Sequence, residues 1–291
     1  MKKSLTILLF ALVAGVSSCD YISDPYENTG PDNNGSLCPD KTFPTNSKTH
    51  RVVLIEDYTG HKCTACPQAA ITAEKLKETF KDSLVVVAVH SGFFADTKDS
   101  KYPEEFRTDA GNTYSTKFGF GSWPNGLVNR IDYPKNQHIK SFGSWGAEVN
   151  KLLRTAQEAD LQIISDYSTS DSNACISVQT KFLSVSVPAA NYKMCLLLVQ
   201  DSIVAPQLDG GVYKPDYLHR HMLKDNINGT WGEPVLSGTV ILEPIVKKYR
   251  YKVKSNYSGI ACKPKNCYLV AFLYEETSLR ILQAAEVKLM K

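Results

Sequence analysis

Cys63 and Cys66 stand two residues apart in His61-Lys62-Cys63-Thr64-Ala65-Cys66-Pro67. Thiols at that spacing can exchange with a disulfide: one attacks as the thiolate, and the other resolves the mixed disulfide that forms. An apolar run at residues 52–55, then Glu56, Asp57 and a Gly turn, precede the pair, and an amphipathic segment follows it. The order is therefore strand, loop, cysteines, helix. A helix starting there sets its unpaired amides and positive dipole end against Cys63, the expected nucleophile, with Cys66 one turn inside as the resolving thiol. The neighbouring Lys62 and His61 are expected to favour the thiolate and to meet the substrate. Two other uses of the motif compete, a structural staple and metal ligation by His61, Cys63 and Cys66. No second Cys-x-x-Cys and no His-x-x-x-His supplies a fourth ligand, so no metal is assigned. Neither a Gly-rich phosphate loop nor a Gly-x-Ser-x-Gly elbow occurs, and no cofactor is expected.

The elements that must hold this pair follow from periodicity. Ala69, Ala73, Leu76 and Phe80 recur on one helical face, and residues 84–89 form a second fully apolar strand, completing a βαβ unit with parallel strands. Residues 91–112 read as an insertion near the active surface, 112–118 as helix and 127–130 as a short strand. Trp145, Val149, Leu152, Leu153 and Ala156 form the stripe of a closing helix. Beyond about residue 159 the helical period gives way to strand runs at 161–164, 175–187, 192–200, 235–253, 267–274 and 279–290. The expected fold class is α/β plus all-β: an α/β domain at 49–158 and a β-sandwich, Ig-like, at 159–291, each with its own sheet. The long excursion at 201–234 carries His219 and His221, read as ordinary hydrogen-bonded or solvated histidines.

The N-terminus speaks to compartment. Lys2 and Lys3, an apolar stretch too short to span a bilayer, and Val16-Ser17-Ser18-Cys19 make residues 1–18 a signal peptide ending in a lipobox-like site. Cys19 is the expected lipidation site, so the acylated N-terminus would anchor the chain to a bilayer. Residues 19–48, rich in Asp, Asn, Pro, Gly and Ser, read as a flexible tether. The formal charge of +3 falls to +1 when Lys2 and Lys3 are removed (3 − 2), and no nucleic-acid partner is expected. Of the eight cysteines, seven remain after Cys19. The pairing expected in an exported protein is Cys63 with Cys66, Cys175 with Cys195 and Cys262 with Cys267, the last two as structural staples, which leaves Cys38 over.

The stretch from residue 52 to Pro67 resembles a thioredoxin-fold domain, in which a Cys-x-x-Cys opens the helix of a βαβ unit. The resemblance implies three roles. Asp57, six residues before Cys63, takes the place of the buried acid that assists proton transfer at the resolving thiol. Pro124 takes the place of the cis-proline packed against the disulfide, and Trp123 before it a place beside the substrate. Thr64-Ala65 departs from the Gly-Pro of thioredoxin. The lipobox, Ile55-Glu56-Asp57-Tyr58-Thr59-Gly60, the Cys63–Pro67 stretch, Trp123-Pro124-Asn125-Gly126-Leu127-Val128-Asn129-Arg130 and Ile281-Leu282-Gln283-Ala284-Ala285-Glu286 are together similar to the 28-kilodalton outer-membrane lipoprotein family of Bacteroidetes. That likeness implies a thioredoxin-like domain followed by a β-rich domain on an outer-membrane lipoprotein. One reading of the cysteine pair is a thiol–disulfide oxidoreductase acting on disulfides or thiols of exported proteins, from an anchor facing the periplasm or the outside. The rival reading is a surface binding or adhesion lipoprotein whose Cys63–Cys66 disulfide only staples a loop. The two differ in one observable, because a redox pair needs an accessible first sulfur and a staple is buried.

Overall fold

The structure, a computed structural model, describes residues 38–45, 50–135 and 137–290. Cys19 and the signal peptide lie outside them. Strand β1 (Val53–Thr59) is buried along its whole length and runs parallel to β2 (Leu84–His90). Helix α1 (Cys66–Phe80) crosses between them, and its Ala69 and Ala73 pack with Val53, Ile55, Leu84 and Val86, as the helical spacing predicts. Helix α2 (Asp109–Phe118) starts where the Thr108 hydroxyl accepts from the Gly111 amide, a side-chain cap that satisfies one of the free first-turn donors. Strand β3 (Asn125–Val128) then returns antiparallel along β1, and α3 (Trp145–Leu153) brings Trp145 and Val149 into the α1 core.

Twelve strands follow: β4 (Ala159–Tyr167), β5 (Asn173–Phe182), β6 (Ala190–Gln200), β7 (Ile203–Asp209), β8 (Val212–His219), β9 (Met222–Asn226), β10 (Glu233–Gly238), β11 (Ile245–Lys252), β12 (Asn256–Tyr257), β13 (Ile260–Ala261), β14 (Cys267–Glu275) and β15 (Ile281–Lys288). The fold is mixed α/β with strands predominating. The excursion at 201–234 contains β7, β8 and β9, and the run at 235–253 divides into β10 and β11.

The expected separation of sheets at residue 159 is not observed. One sheet runs β15-β14-β6-β9-β2-β1-β3, with β10 beside β6, and crosses the boundary through β9. Strand β9 pairs with β6 over several residues but with β2 only through Ala88 and Met222. Periodicity reports which face of a strand is buried and not which edge it joins, so such a junction leaves no mark on the sequence. What changes at residue 159 is the cover. One face of the sheet has a common core from both halves, with Leu54, Tyr58, Val87, Leu197, Phe272 and Ile281 among its members. On the opposite face α1 and α3 cover β1 and β2, whereas the three-stranded sheet β11-β5-β4 covers β6 and β14. The sheet also curls until its far ends meet, for the Ile281 amide donates to Asn129 O (3.0 Å) and the Val52 amide to Gln283 Oε1 (2.7 Å).

Residues 38–41, expected to belong to the flexible tether, are held on the three-stranded sheet. Cys38 is disulfide-bonded to Cys175 on β5, and Lys248 on β11 donates to Asp40 (2.8 Å). This corrects the pairing of Cys175 with Cys195. Ala174, Ile176 and Val178 face the core between the sheets, so Cys175 faces outward, and Cys195 lies in the common core on the far side of β6. Cys195 is a buried free thiol, pushed up to about 12 by desolvation. Cys262 and Cys267 are also unbonded, against expectation; their sulfurs lie 3.6 Å apart, and the Cys267 thiol donates to Lys263 O (3.3 Å). Among the described residues no helix is long and apolar enough to cross a membrane.

Candidate functional site

Strand β1 ends at Thr59, and the chain turns at Gly60 into the cysteine loop. Gly60 is required sterically, since a Cβ there would lie 2.5 Å from the backbone of Phe94. The Cys63 amide donates to Gly60 O (3.1 Å), and Cys63 and Cys66 are joined as a disulfide. Helix α1 begins at Cys66 with Ala65 as its N-cap residue, so Cys66 holds the first helical position rather than lying one turn inside. Pro67 suits the next position, where no intrahelical donor is needed.

Side chains alternate along β1, and this sends Asp57 to the α1 side with Val53 and Ile55. Asp57 is 2 % exposed, its Oδ1 has no hydrogen-bond partner, and burial alone pushes its carboxyl up to about 7. It shares a cavity of about 390 Å³ with Cys66, Ala73 and Glu74 of α1, His90 of β2 and the Gln207, Tyr217 and His219 side chains of β7 and β8. His90 Nδ1 and His219 Nε2 are likewise buried without partners. Burial holds His90 well below the ordinary imidazole range and pushes His219 down to about 4, so both rings are neutral at neutral pH. The cavity thus sets a carboxyl that exchanges its proton near neutrality beside the inner cysteine. Such a group can accept the proton of a resolving thiol or return it.

Several expected roles change. His61 is wholly buried, its Nε2 3.0 Å from Asp96 O and its ring stacked on Tyr102, which removes it from any surface a substrate meets. Desolvation lowers its pKa, so it adds no positive charge at neutral pH. Lys62 forms an ion pair with Asp96 and lies over the Phe93 ring, so its charge is already neutralised and is not free for the Cys63 thiolate. The Trp123–Pro124 bond is cis, and Pro124 leads directly into β3, which pairs with the end of β1. The Trp123 indole donates to Ser91 Oγ (3.3 Å), and its ring meets Phe94 on the same side as Gly60.

Cys63 and Cys66 are both only 2 % exposed. Their cover is a two-stranded ribbon, β7 and β8. Leu208 N donates to His61 O (2.7 Å), Gly210 N to Thr64 O (3.0 Å), and Gln207 Nε2 to Cys63 O (3.1 Å). Gln207, His90 and His219 were not legible as site residues. Gln207 carries no sequence signal at all, and the only hint of His219 was its spacing from His221.

Residues 111–291 match the family described as outer membrane protein Omp28. The chain belongs to the Omp28 family. Membership makes it an outer membrane protein, and because the match begins after Asp57, Cys63 and Cys66, it leaves the redox pair to be judged on geometry. The structure is similar to HBP35 of Porphyromonas gingivalis, with a TM-score of 0.63 and 16% identity over 84% of this chain and 77% of that one, a likeness of fold alone. A domain of the outer membrane lipoprotein Omp28 from Porphyromonas gingivalis is 20% identical over 46% of this chain and 88% of that one, at a TM-score of 0.32, too loose to support a structural argument. No curated protein matches. Three of the segments that carry the family likeness, around Glu56, Asn129-Arg130 and Ile281–Gln283, meet at the closure of the curled sheet. Arg130 binds Glu56 through two hydrogen bonds (2.8 and 2.7 Å), Asn129 Oδ1 accepts from Leu54 N (2.7 Å), and Gln283 accepts from Val52 N. Their contribution is architectural.

Proposed function

We propose that this chain is a lipid-anchored thiol–disulfide oxidoreductase of the outer membrane, in which a thioredoxin-like unit backed by a β-sandwich acts on exported proteins. The observation that carries the reading is Asp57, a buried acid with an unpartnered oxygen in a cavity shared with Cys66. Burying a carboxyl without a partner is costly, and proton exchange at a thiol is a use that repays it. In the reduced form the Cys63 thiolate attacks one sulfur of a substrate disulfide. The substrate bond breaks, and its leaving sulfur takes a proton from water. Cys66 then passes its proton to Asp57 and attacks Cys63 Sγ, releasing the second substrate sulfur as a thiolate that takes a proton from water. The protein dithiol is oxidised by two electrons and the substrate disulfide is reduced to two thiols.

Cys66→Ala should accumulate mixed disulfides with exported proteins that Cys63→Ala does not form. The Cys63 thiol in the reduced protein should titrate below the reference value of about 8.5. Capture of no partner by Cys66→Ala, together with a Cys63 pKa at or above that reference, would end the reading. The burial of both cysteines supports a second one, in which the disulfide is a staple and the chain a binding module of the outer membrane. The same variants decide between them. The anchor rests on the lipobox at Cys19, and mass spectrometry of the native N-terminus tests it: a diacylated or triacylated Cys19 is expected, and an unmodified cysteine would remove the anchor.

A further inference from the structure

The ribbon over the cysteine loop is built in two parts. Its base is apolar and anchored, with Ile203 and Ala205 packed on Phe106 and Met222. Asp201 fixes the root by accepting from the His221 amide (2.7 Å), and His221 in turn pairs with Glu74 of α1. Its tip is held differently. Between Ala205 and Gln207 the pairing slips at Pro206, so that Ala205 faces Tyr217 but Gln207 already faces Lys214. Past this bulge, Val212 and Tyr213 are exposed, and the tip rests on the cysteine loop through the Leu208 and Gly210 amides and the Gln207 side chain. Among the described residues, neither β7 nor β8 pairs with any other strand. Tyr213 adds one exposed hydrogen bond to Lys101 O (3.3 Å) and an edge contact with the Tyr102 ring, so a few hydrogen bonds of small net value in water and one aromatic contact hold the element that hides Cys63. The break between an anchored base and a polar, weakly held tip is where a ribbon bends.

We propose that the tip of this ribbon, from Gln207 to Asp216, is a gate that swings away at the Pro206 bulge to admit a protein dithiol or disulfide to Cys63. The inference deepens the oxidoreductase reading and rests on it for its use. With the gate closed, the cavity still reaches Asp57 and Cys66 from the α1 side, and its size suits water and small solutes and excludes a polypeptide. With the gate open, a partner thiolate attacks Cys63 Sγ. The Cys63–Cys66 bond breaks, its electron pair goes to Cys66, and the Cys66 sulfur takes the proton held by Asp57. The partner's second thiol loses its proton to water and attacks the mixed disulfide, so that Cys63 leaves as thiolate and the partner is oxidised by two electrons.

The test uses the whole chain in its disulfide form and two reductants, dithiothreitol and a reduced thioredoxin, with alkylation and mass spectrometry following Cys63. Gln207→Ala removes the side-chain latch, and Leu208→Pro removes the amide that binds His61 O. Each should raise the thioredoxin rate about tenfold, the scale of losing one or two marginal hydrogen bonds, and change the dithiothreitol rate much less. Hydrogen exchange of the unmodified protein supplies a second reading, since the Leu208 and Gly210 amides should exchange far faster than those of β6 and β14. Equal thioredoxin rates in the parent and both variants, or protection of the tip amides equal to that of β6, would overturn the gate. If the variants gain the thioredoxin rate but neither they nor the parent speed reduction of insulin, the gate stands and the oxidoreductase reading falls. If the parent already turns insulin over as fast as the variants, the oxidoreductase reading stands and the gate falls.

Discussion

Glu56 and Asp57 are adjacent on β1, and both are buried acids, yet alternation sends them to opposite faces and opposite circumstances. Glu56 enters the common core and meets Arg130 in a two-point ion pair, with the guanidinium lying 5.0 Å from the ring centres of Tyr114 and Phe118 and 4.8 Å from that of Phe272. Burial alone would lower the Arg130 pKa, but the charge and hydrogen bonds of Glu56 outweigh it and keep the guanidinium protonated. Asp57 enters the α1 cavity and meets no partner. The paired acid is what a core needs in order to bury a charge; the unpaired one is a cost that the fold bears at a place where a disulfide sits. A paired and an unpaired buried acid are thus separated by one peptide bond.

Breaking the paired side should have the larger effect. Arg130→Met leaves Glu56 buried and uncompensated, and denaturant unfolding should show a loss of about 3–5 kcal/mol. A loss near zero would mean that Glu56 finds another partner or water.

The Asp57 side should respond with the opposite sign. Its folded pKa of about 7 lies above the ordinary 3.8, so between these values the folded state keeps a proton that the unfolded chain has released. The Asp57 contribution to stability should therefore fall as pH rises from about 4 to about 7 and then level off, by up to about 4 kcal/mol at 1.36 kcal/mol per unit, against the opposite slope that the neutral buried His90 and His219 contribute. Asp57→Asn should remove this component alone, so that the variant matches the parent near pH 4 and exceeds it at pH 8 in thermal melts. The same variant should slow resolution of the mixed disulfide more than its formation.

Smaller changes sharpen the contrast. Gln283→Leu strips the Val52 amide of its acceptor where the curled sheet closes, and should cost about 1–3 kcal/mol without touching the Asp57 pH slope. Thr108→Ala removes the cap of α2, whose Tyr114 and Phe118 wall the Arg130 cage, and should cost about 1 kcal/mol by the same unfolding measurement. A pH slope altered by either variant would show that the two faces of β1 are coupled.

Local patterns in the sequence determined a good deal of this protein. The apolar runs at 52–55 and 84–89, the helical stripe from Ala69 to Phe80 and the cysteine spacing placed β1, α1, β2 and the thiol pair, because period and spacing act within a few residues of chain. Tertiary structure alone decided the rest. Cys175 pairs with Cys38 because disulfide chemistry needs facing side chains within a few ångströms, and 137 residues of chain separate these two. The sheet is continuous because β9 offers its two edges to β6 and β2, and an edge has no composition of its own. The cysteines are hidden because Leu208 and Gly210 offer backbone amides to His61 and Thr64, and a backbone amide is the same group whatever residue carries it.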